Sequence, residues 1–365
     1  MMTKMTTQGW ILYMSLMVIL LVGALMVLYY VEMAYRGGRE GFAGEKDANP
    51  DADADADPGP GPFITLYDQE RAELDMFGSE GSKGSAAEVK DHGPIPRILW
   101  TFWEGPENHV VKYCIASWKY YNPDYEVVVL NKRNYRNYIG SSAVDVDALR
   151  HSGDGMARYS DYVRCLVLSA HGGIWIDSSV ICHAPFDWVH ACQQRTGAEF
   201  VGYYIHKGTF HEFRSYSPMV ENWFFACVPG SVFMRDWTAE FFRTNEFPTI
   251  TGYLDNVKAG GTHFNNMANI GAPDYLTMHI AGQKVLQDAR DAPRYRLSLF
   301  SACAGPFLYL HRVNWDVATA VHQLMNEPTR SEYFQCAFVK LRSIERSTLE
   351  QYDDAQKRRA FSCPV

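Results

Sequence analysis

Residues 157–182 read ARYSDYVRCLVLSAHGGIWIDSSVIC, and the rest of the chain can be arranged around this segment. Its first half predicts a helix with one apolar face, because apolar residues recur there at spacings of three and four. These residues are Tyr159, Tyr162, Val163, Leu166, Val167 and Ala170. Gly172 and Gly173 end the predicted helix, since glycine adopts a left-handed C-cap most easily. A short buried strand, Ile174–Ile176, follows and ends at the carboxylate of Asp177.

Three charged residues of this segment form the candidate site. Asp161 and Arg164 lie three residues apart on the predicted helix and therefore on one face. Asp177 lies at the carboxyl end of a predicted strand, which is where open α/β sheets bind their ligands. As an exposed ion pair, Asp161 and Arg164 would contribute only ~0.3–0.5 kcal/mol to stability. Their proximity to Asp177 favours a functional role instead.

The segment SDYVRCLVLSAHGGIWIDSSV resembles the central motif of the family 32 glycosyltransferases and the related capsular polysaccharide synthesis transferases. That motif runs Ser-Asp-x-x-Arg, a helix, then Gly-Gly-Ile-(Tyr/Trp)-(Leu/Ile)-Asp. Three further segments are similar to parts of this family: PRILWTFW at residues 96–103, SPMVENWFFAC at residues 217–227, and the His-x-x-x-Trp element that starts at His311. The resemblance covers most of the chain from Pro94 to about Trp315.

The resemblance implies a GT-A-like fold over residues 93–365, which is a Rossmann-like mixed α/β sheet flanked by helices. The predicted elements agree with an α/β class, because a strand (96–103), a helix (108–121) and a strand (126–131) alternate. Helices are predicted at residues 185–194, 231–244 and 277–288, strands at residues 199–205 and 217–227, and a further strand just before His311.

The resemblance also implies the activity, which is transfer of a sugar from a UDP- or GDP-sugar donor to a glycan or polysaccharide acceptor with retention. Asp161, Arg164 and Asp177 would be the catalytic residues. The residues that would bind the donor are Thr101, Trp103, Ser160, Asp161, Arg164, Gly173, Asp177 and Ser179. Asn222 and Trp223 would lie on the acceptor side.

A divalent cation, Mn²⁺ or Mg²⁺, suits the diphosphate of such a donor and is held by carboxylate oxygens. The family's usual Asp-x-Asp motif appears here with one acid, since Ser179 follows Asp177 at the third position. This departure resembles the capsular branch, which has Asp-Ala-Thr. Ser179 could ligate through its hydroxyl or a bound water, and His311 is a further candidate ligand.

Two other classes stay open at this point. The missing second aspartate motivates a catalytically inactive glycan-binding or scaffold protein that keeps the GT-A fold. An unrelated hydrolase would use Asp177 with another carboxylate. There is no GxxxxGK, GxSxG or HExxH motif, so kinase, α/β-hydrolase and zincin functions lack support. The net charge of -8 and the absence of a basic stripe argue against a nucleic-acid partner.

The first ninety or so residues differ in composition. After a short tail (1–9), residues 10–31 form an uncharged apolar run that predicts a transmembrane anchor in the lipid bilayer, and a cleaved signal peptide fits its length less well. Residues 32–92 predict a linker, because they include an Asp-Ala repeat and a Pro-Gly repeat. Arg36, Arg39 and Lys46 favour a cytoplasmic catalytic side, whereas the resemblance implies a Golgi membrane with a lumenal domain if the protein is eukaryotic.

The eight cysteines show no CxxC and no zinc-like spacing, so they predict buried core thiols rather than a disulfide framework. A lumenal location would permit one or two bridges.

Overall fold

The computed structural model describes residues 64–78, 93–106, 108–140, 144–206, 209, 211–265, 272–291, 294–326 and 330–361. The predicted tail, the predicted anchor at residues 10–31 and most of the predicted linker lie outside these ranges. Within them, no helix is both long and apolar enough to cross a bilayer.

A mixed sheet of seven strands forms the centre of the domain and confirms the predicted class. Its order is β1-β8-β6-β7-β4-β2-β3, and only β7 runs antiparallel to its neighbours. The strands are β1 (Ile64–Tyr67), β2 (Ile98–Phe102), β3 (Glu126–Leu130), β4 (Gly173–Ile176), β6 (Phe200–Tyr204), β7 (Val220–Cys227) and β8 (Leu297–Ser301). A second sheet pairs β5 (Val180–Cys182) with β9 (Phe338–Lys340) in antiparallel fashion.

Twelve helices occur in the described residues. They are α1 (Ala72–Phe77), α2 (His109–Tyr121), α3 (Met156–His171), α4 (Asp187–Thr196), α5 (Val232–Phe242), α6 (Ile250–Ala259), α7 (Thr277–Asp288), α8 (Leu308–His311), α9 (Val317–Asn326), α10 (Arg330–Tyr333), α11 (Ser343–Glu350) and α12 (Asp354–Phe361).

Both faces of the central sheet are covered by apolar side chains. Along β4, Ile174 and Ile176 belong to one core cluster and Trp175 to the other, because alternate strand residues point to opposite faces. Helices α2 and α4 pack on the first face, and α3, α5 and α7 on the second. The continuous apolar run of β4 is typical of a strand buried on both faces.

Two glycines make the sharp connection between α3 and β4. Gly172 and Gly173 have φ values of 63° and 95°, in the left-handed region that favours glycine. A Cβ on Gly172 would lie 2.7 Å from the carbonyl oxygen of Cys227. The Gly172 carbonyl also accepts a hydrogen bond of 3.0 Å from the Trp100 indole. The predicted helix stop is therefore confirmed.

The predicted linker of residues 32–92 is too long at its C-terminal end. Ile64–Tyr67 forms β1, which pairs in parallel with β8, and α1 follows it. Ala72 and Phe77 are buried in the core, and the ring of Tyr67 stacks on Phe300 with centroids 4.6 Å apart. Acidic and glycine-rich stretches flank this segment, so its composition predicts a linker. The short apolar strand is stabilised by pairing with β8 at the edge of the sheet.

The strand predicted before His311 is also wrong. Residues Leu308–His311 form the one-turn helix α8, and the His311 amide donates to the Phe307 carbonyl at 2.9 Å. A short apolar run does not distinguish a buried strand from a buried helical turn by its pattern.

Seven cysteines lie in the described residues, and all are buried free thiols. This agrees with the predicted core thiols, and Cys363 lies outside the described residues.

The extent of the folded domain can be tested by truncation. We expect a chain that starts at Pro60 to keep the melting temperature of the full-length chain's folded domain. A chain that starts at Asp91 should melt at least ~5 °C lower, because it loses β1 and the burial of Phe77, which alone is worth about 1.5–3 kcal/mol. Differential scanning calorimetry of both chains measures this, and equal melting temperatures would show that β1 and α1 are dispensable.

Candidate functional site

One edge of the central sheet collects the polar residues of the candidate site. The parallel strands β2 and β4 both end at this edge, and the antiparallel β7 begins there. The Asp177 amide donates to the Trp223 carbonyl at 2.8 Å, which holds the end of β4 against the start of β7. The three connections therefore border one space, as expected for the carboxyl ends of strands in an α/β sheet.

This space is a cavity of about 530 Å³. Its wall includes the residues after β2 (Trp103, Glu104), the residues after β4 (Asp177, Ser179) and the start of β7. Helix α3 contributes Ser160, Asp161 and Arg164, and α7 contributes His279. The C-terminal segment between β9 and α11 completes the wall with Lys340, Arg342, Ser343 and Arg346.

Alternating charges run through this wall. Arg164 donates to Asp161 at 2.7 Å through one guanidinium nitrogen and to Asp177 at 3.0 Å through the other. Lys340 donates to the second carboxylate oxygen of Asp177 at 2.8 Å. The Arg164 side chain is 4 % exposed and that of Asp177 is 28 % exposed, so Asp177 is the member that a ligand can reach.

The two carboxylates differ in their electrostatic environment. Burial raises the pKa of Asp177, but the charges of Lys340 and Arg164 outweigh burial and hold that pKa below its ordinary value. For Asp161, burial raises the pKa above its ordinary value, and the charges of Arg164 and Arg158 offset this only in part. Asp177 is therefore the carboxylate that stays ionised most readily.

Three more polar residues approach this network, one from α7 and two from β7. His279 lies 3.4 Å from the Glu221 carboxylate, and both side chains are less than a tenth exposed. Asn222 donates to Asp161 at 3.1 Å, so it helps to orient the charged face of α3. The start of β7 thus contributes a carboxylate and an amide to the cavity wall.

The C-terminal segment reaches the cavity through the second sheet. Val180 in β5 pairs with Lys340 at the end of β9, which places the lysine next to the residues after β4. The Ser179 hydroxyl donates to the Leu341 carbonyl at 2.8 Å and lies 3.2 Å from the Lys340 ammonium. Ser179 therefore joins the C-terminal segment to the end of β4.

Most of the predicted site residues line this cavity. These are Trp103, Ser160, Asp161, Arg164, Asp177, Ser179, Asn222 and Trp223. The structure thus brings together the charged trio, both residues predicted for the acceptor side and most of those predicted for the donor side.

Three predicted site residues lie elsewhere. Thr101 is fully buried within β2 and does not line the cavity. Gly173 begins β4, at the end away from Asp177, where a Cβ would lie 2.9 Å from the Trp100 indole nitrogen. His311 is the exposed last residue of the otherwise buried helix α8 and does not line the cavity. Thr101, Gly173 and His311 are therefore not brought together with Asp177 in this cavity.

The oxygen atoms of Asp177 and Ser179 do not form a set of ligands that fits a divalent cation. One Asp177 oxygen accepts from Arg164 and from the Trp175 indole at 3.1 Å, and the other accepts from Lys340. The Ser179 hydroxyl already has two partners, Leu341 and Lys340. Among the described residues, no three His, Cys, Asp or Glu side chains cluster as metal ligands would. Two cationic side chains lie where a metal would need oxygen ligands.

Sequence reasoning missed Lys340, Arg342 and Arg346, as well as the Glu221–His279 pair. The segment KLRSIER at residues 340–346 carried a usable signal, because basic residues surround a helix start at Ser343 with Glu345 two residues further on. Only the pairing of β5 with β9 shows that this segment reaches the site.

Comparisons with known proteins give one matching family and two similar solved structures. Residues 71–248 match the family described as capsular polysaccharide synthesis protein, which confirms the resemblance to that branch. No curated protein matches the chain.

Two solved structures are similar to this chain. "PaToxG Glycosyltransferase" is 14 % identical with a TM-score of 0.33, over 74 % of this chain and 87 % of that one. The ligand-free glycosyltransferase domain of the YGT toxin is 11 % identical with a TM-score of 0.33, over 74 % of this chain and 95 % of that one.

The bridging role of Arg164 can be tested by stability. Arg164→Lys should destabilise the domain by about 1–3 kcal/mol, because an ammonium cannot reproduce the fork that joins Asp161 to Asp177. Arg243→Lys is the matched control, since Arg243 also joins two carboxylates but is 37 % exposed. Its effect should stay within ~0.5 kcal/mol. Equal effects of the two substitutions in urea unfolding would contradict the bridging role.

Proposed function

We propose that this chain transfers a sugar from a nucleotide-sugar donor, a UDP- or GDP-sugar, to a glycan or polysaccharide acceptor. The observation that carries the proposal is the cavity of about 530 Å³ in which Asp161, Arg164 and Asp177 of the family-like motif meet the C-terminal basic segment. Carboxylates orient sugar hydroxyls, and cationic side chains bind phosphate oxygens. Both chemistries are needed for a nucleotide sugar.

In this proposal the donor lies across the end of the sheet. Asp177, the more exposed carboxylate, accepts a hydrogen bond from a hydroxyl of the donor sugar. Arg164 holds Asp161 and Asp177 in place. Trp103, which is half-buried at the end of β2, offers its ring to the nucleoside. Retention of anomeric configuration, as the family resemblance implies, remains part of the proposal.

The acceptor is proposed to enter from a neighbouring cavity of about 510 Å³. This cavity shares Ala157, Asp161 and Tyr275 with the first one, and its wall includes His151, Arg158 and Thr249. Mixed hydroxyl, imidazole and charged groups suit a polyhydroxyl ligand. Tyr275 is 67 % exposed and lies where the two cavities join.

The alternative is a catalytically inactive glycan-binding or scaffold protein with this fold. The observation that favours it is the pairing of Asp177 with two cations, which leaves this carboxylate fewer free lone pairs for a ligand. Binding of a nucleotide sugar without any hydrolysis or transfer would support this alternative.

Replacement of Asp177 tests the proposed activity. Asp177→Asn keeps the side-chain volume and removes the charge, so we expect transfer and donor hydrolysis to fall ~10²–10³-fold, a typical loss for one charged contact used in the transition state. A panel of UDP- and GDP-sugars with product detection by mass spectrometry measures both reactions.

The matched control is Asp187→Asn, because Asp187 pairs with Arg97 at 3.1 Å outside the cavity and is 44 % exposed. That variant should keep its turnover. Near-full turnover of Asp177→Asn, in a protein with unchanged melting temperature, would show that the reaction takes place elsewhere.

A further inference from the structure

A cation of the chain itself lies beside the carboxylate that a divalent metal would require. We propose that Lys340, together with Arg342 and Arg346, holds the diphosphate of the donor and neutralises the charge that develops on it without a divalent cation. This inference rests on the proposed function and adds the identity of the cation that stabilises the leaving group.

The position of Lys340 supports this role. Its ammonium lies 2.8 Å from Asp177 and 3.2 Å from the Ser179 hydroxyl, the two residues that correspond to the family's acidic motif. An ammonium has three N–H groups, and these two partners leave one for a phosphate oxygen. Arg164 and Lys340 together bring two positive charges to Asp177, which equals the charge of one divalent cation.

The residues after Lys340 extend the positive surface along the cavity. Arg342 precedes helix α11, and Glu345 accepts hydrogen bonds from its guanidinium at 2.6 and 3.0 Å. Arg346 follows one turn later and lies 5.3 Å above the ring of Trp103. No carboxylate pairs with Arg346 in the described parts of the chain. A guanidinium without an acidic partner, beside an aromatic ring, is available to a phosphate.

A buried aromatic ring lies beside Lys340 in the cavity wall. The buried Trp223 lines the cavity, and its indole N–H has no hydrogen-bond partner within the described residues. The Lys340 ammonium lies 5.8 Å from the centre of that ring. The ammonium therefore lies against the aromatic wall of the cavity as well as beside Asp177.

Departure of the nucleoside diphosphate requires positive charge beside its phosphate oxygens. When the sugar leaves, the bond between its anomeric carbon and a phosphate oxygen breaks, and the electron pair stays on the nucleoside diphosphate. The acceptor hydroxyl oxygen forms the new bond, and its proton passes to the released diphosphate. Cationic donors already fixed beside the phosphate stabilise this charge without reorganisation.

The test is binding of UDP and GDP to the full chain, measured by isothermal titration calorimetry in EDTA and in Mn²⁺. For the wild-type protein we expect dissociation constants that agree within ~3-fold in the two buffers. Lys340→Met should weaken binding in EDTA by about 10–100-fold, as expected for the loss of a charge-assisted hydrogen bond. Mn²⁺ should restore much of this loss, because Asp177 then has a free oxygen for the ion.

Two further variants keep the test informative. Arg346→Met should weaken UDP and GDP binding about 10-fold. This variant tests the same inference if Lys340→Met does not fold. Lys284→Met is the matched control, because Lys284 pairs with Asp288 outside the cavity. It should bind as the wild-type protein does.

The outcomes separate this inference from the proposed function. Wild-type binding that requires Mn²⁺, or unchanged binding by both Lys340→Met and Arg346→Met, would overturn the inference while the transferase proposal stands. Failure of both UDP and GDP to bind in either buffer would overturn both.

Discussion

The carboxylate of Asp177 accepts hydrogen bonds from the guanidinium of Arg164 on α3 and from the ammonium of Lys340 on β9. These contacts join three distant parts of the chain, because Asp177 itself ends the central strand β4. Breaking a buried charge pair by removing one partner commonly costs about 3–5 kcal/mol, so neither cation can be lost without consequence. The position of α3, the small β5–β9 sheet and the shape of the cavity all depend on this shared carboxylate.

Local rules predicted much of the framework from the sequence. Apolar residues recur along helix α3 at spacings of three and four, which predicts a helix. The two glycines after it allow positive φ angles that other residues rarely adopt. The trio of Asp161, Arg164 and Asp177 could be found for the same reason, since a helix face and a strand end are local features. Helix α7 begins and ends at the residues that the pattern predicts.

Other features depend on contacts between residues far apart in sequence. The sequence of β1 is typical of a linker, and its strand structure depends on pairing with the distant β8. The apolar run before His311 is typical of a strand, but its backbone hydrogen bonds form a helical turn. Lys340 is 163 residues from Asp177, so no local pattern connects the two. The match to the family of capsular polysaccharide synthesis proteins ends at residue 248 and does not include this lysine either.

A double-mutant cycle measures the coupling on which this structure depends. The free energies of unfolding of Asp177→Asn, Lys340→Met and the double variant would be compared with that of the wild-type protein. Asp177→Asn leaves the buried Lys340 ammonium without its carboxylate, and Lys340→Met leaves Asp177 with Arg164 alone. We therefore expect the double variant to be about 1–3 kcal/mol more stable than the sum of the single effects predicts. Additive effects of the two substitutions would show that Asp177 and Lys340 do not form the central contact of the site.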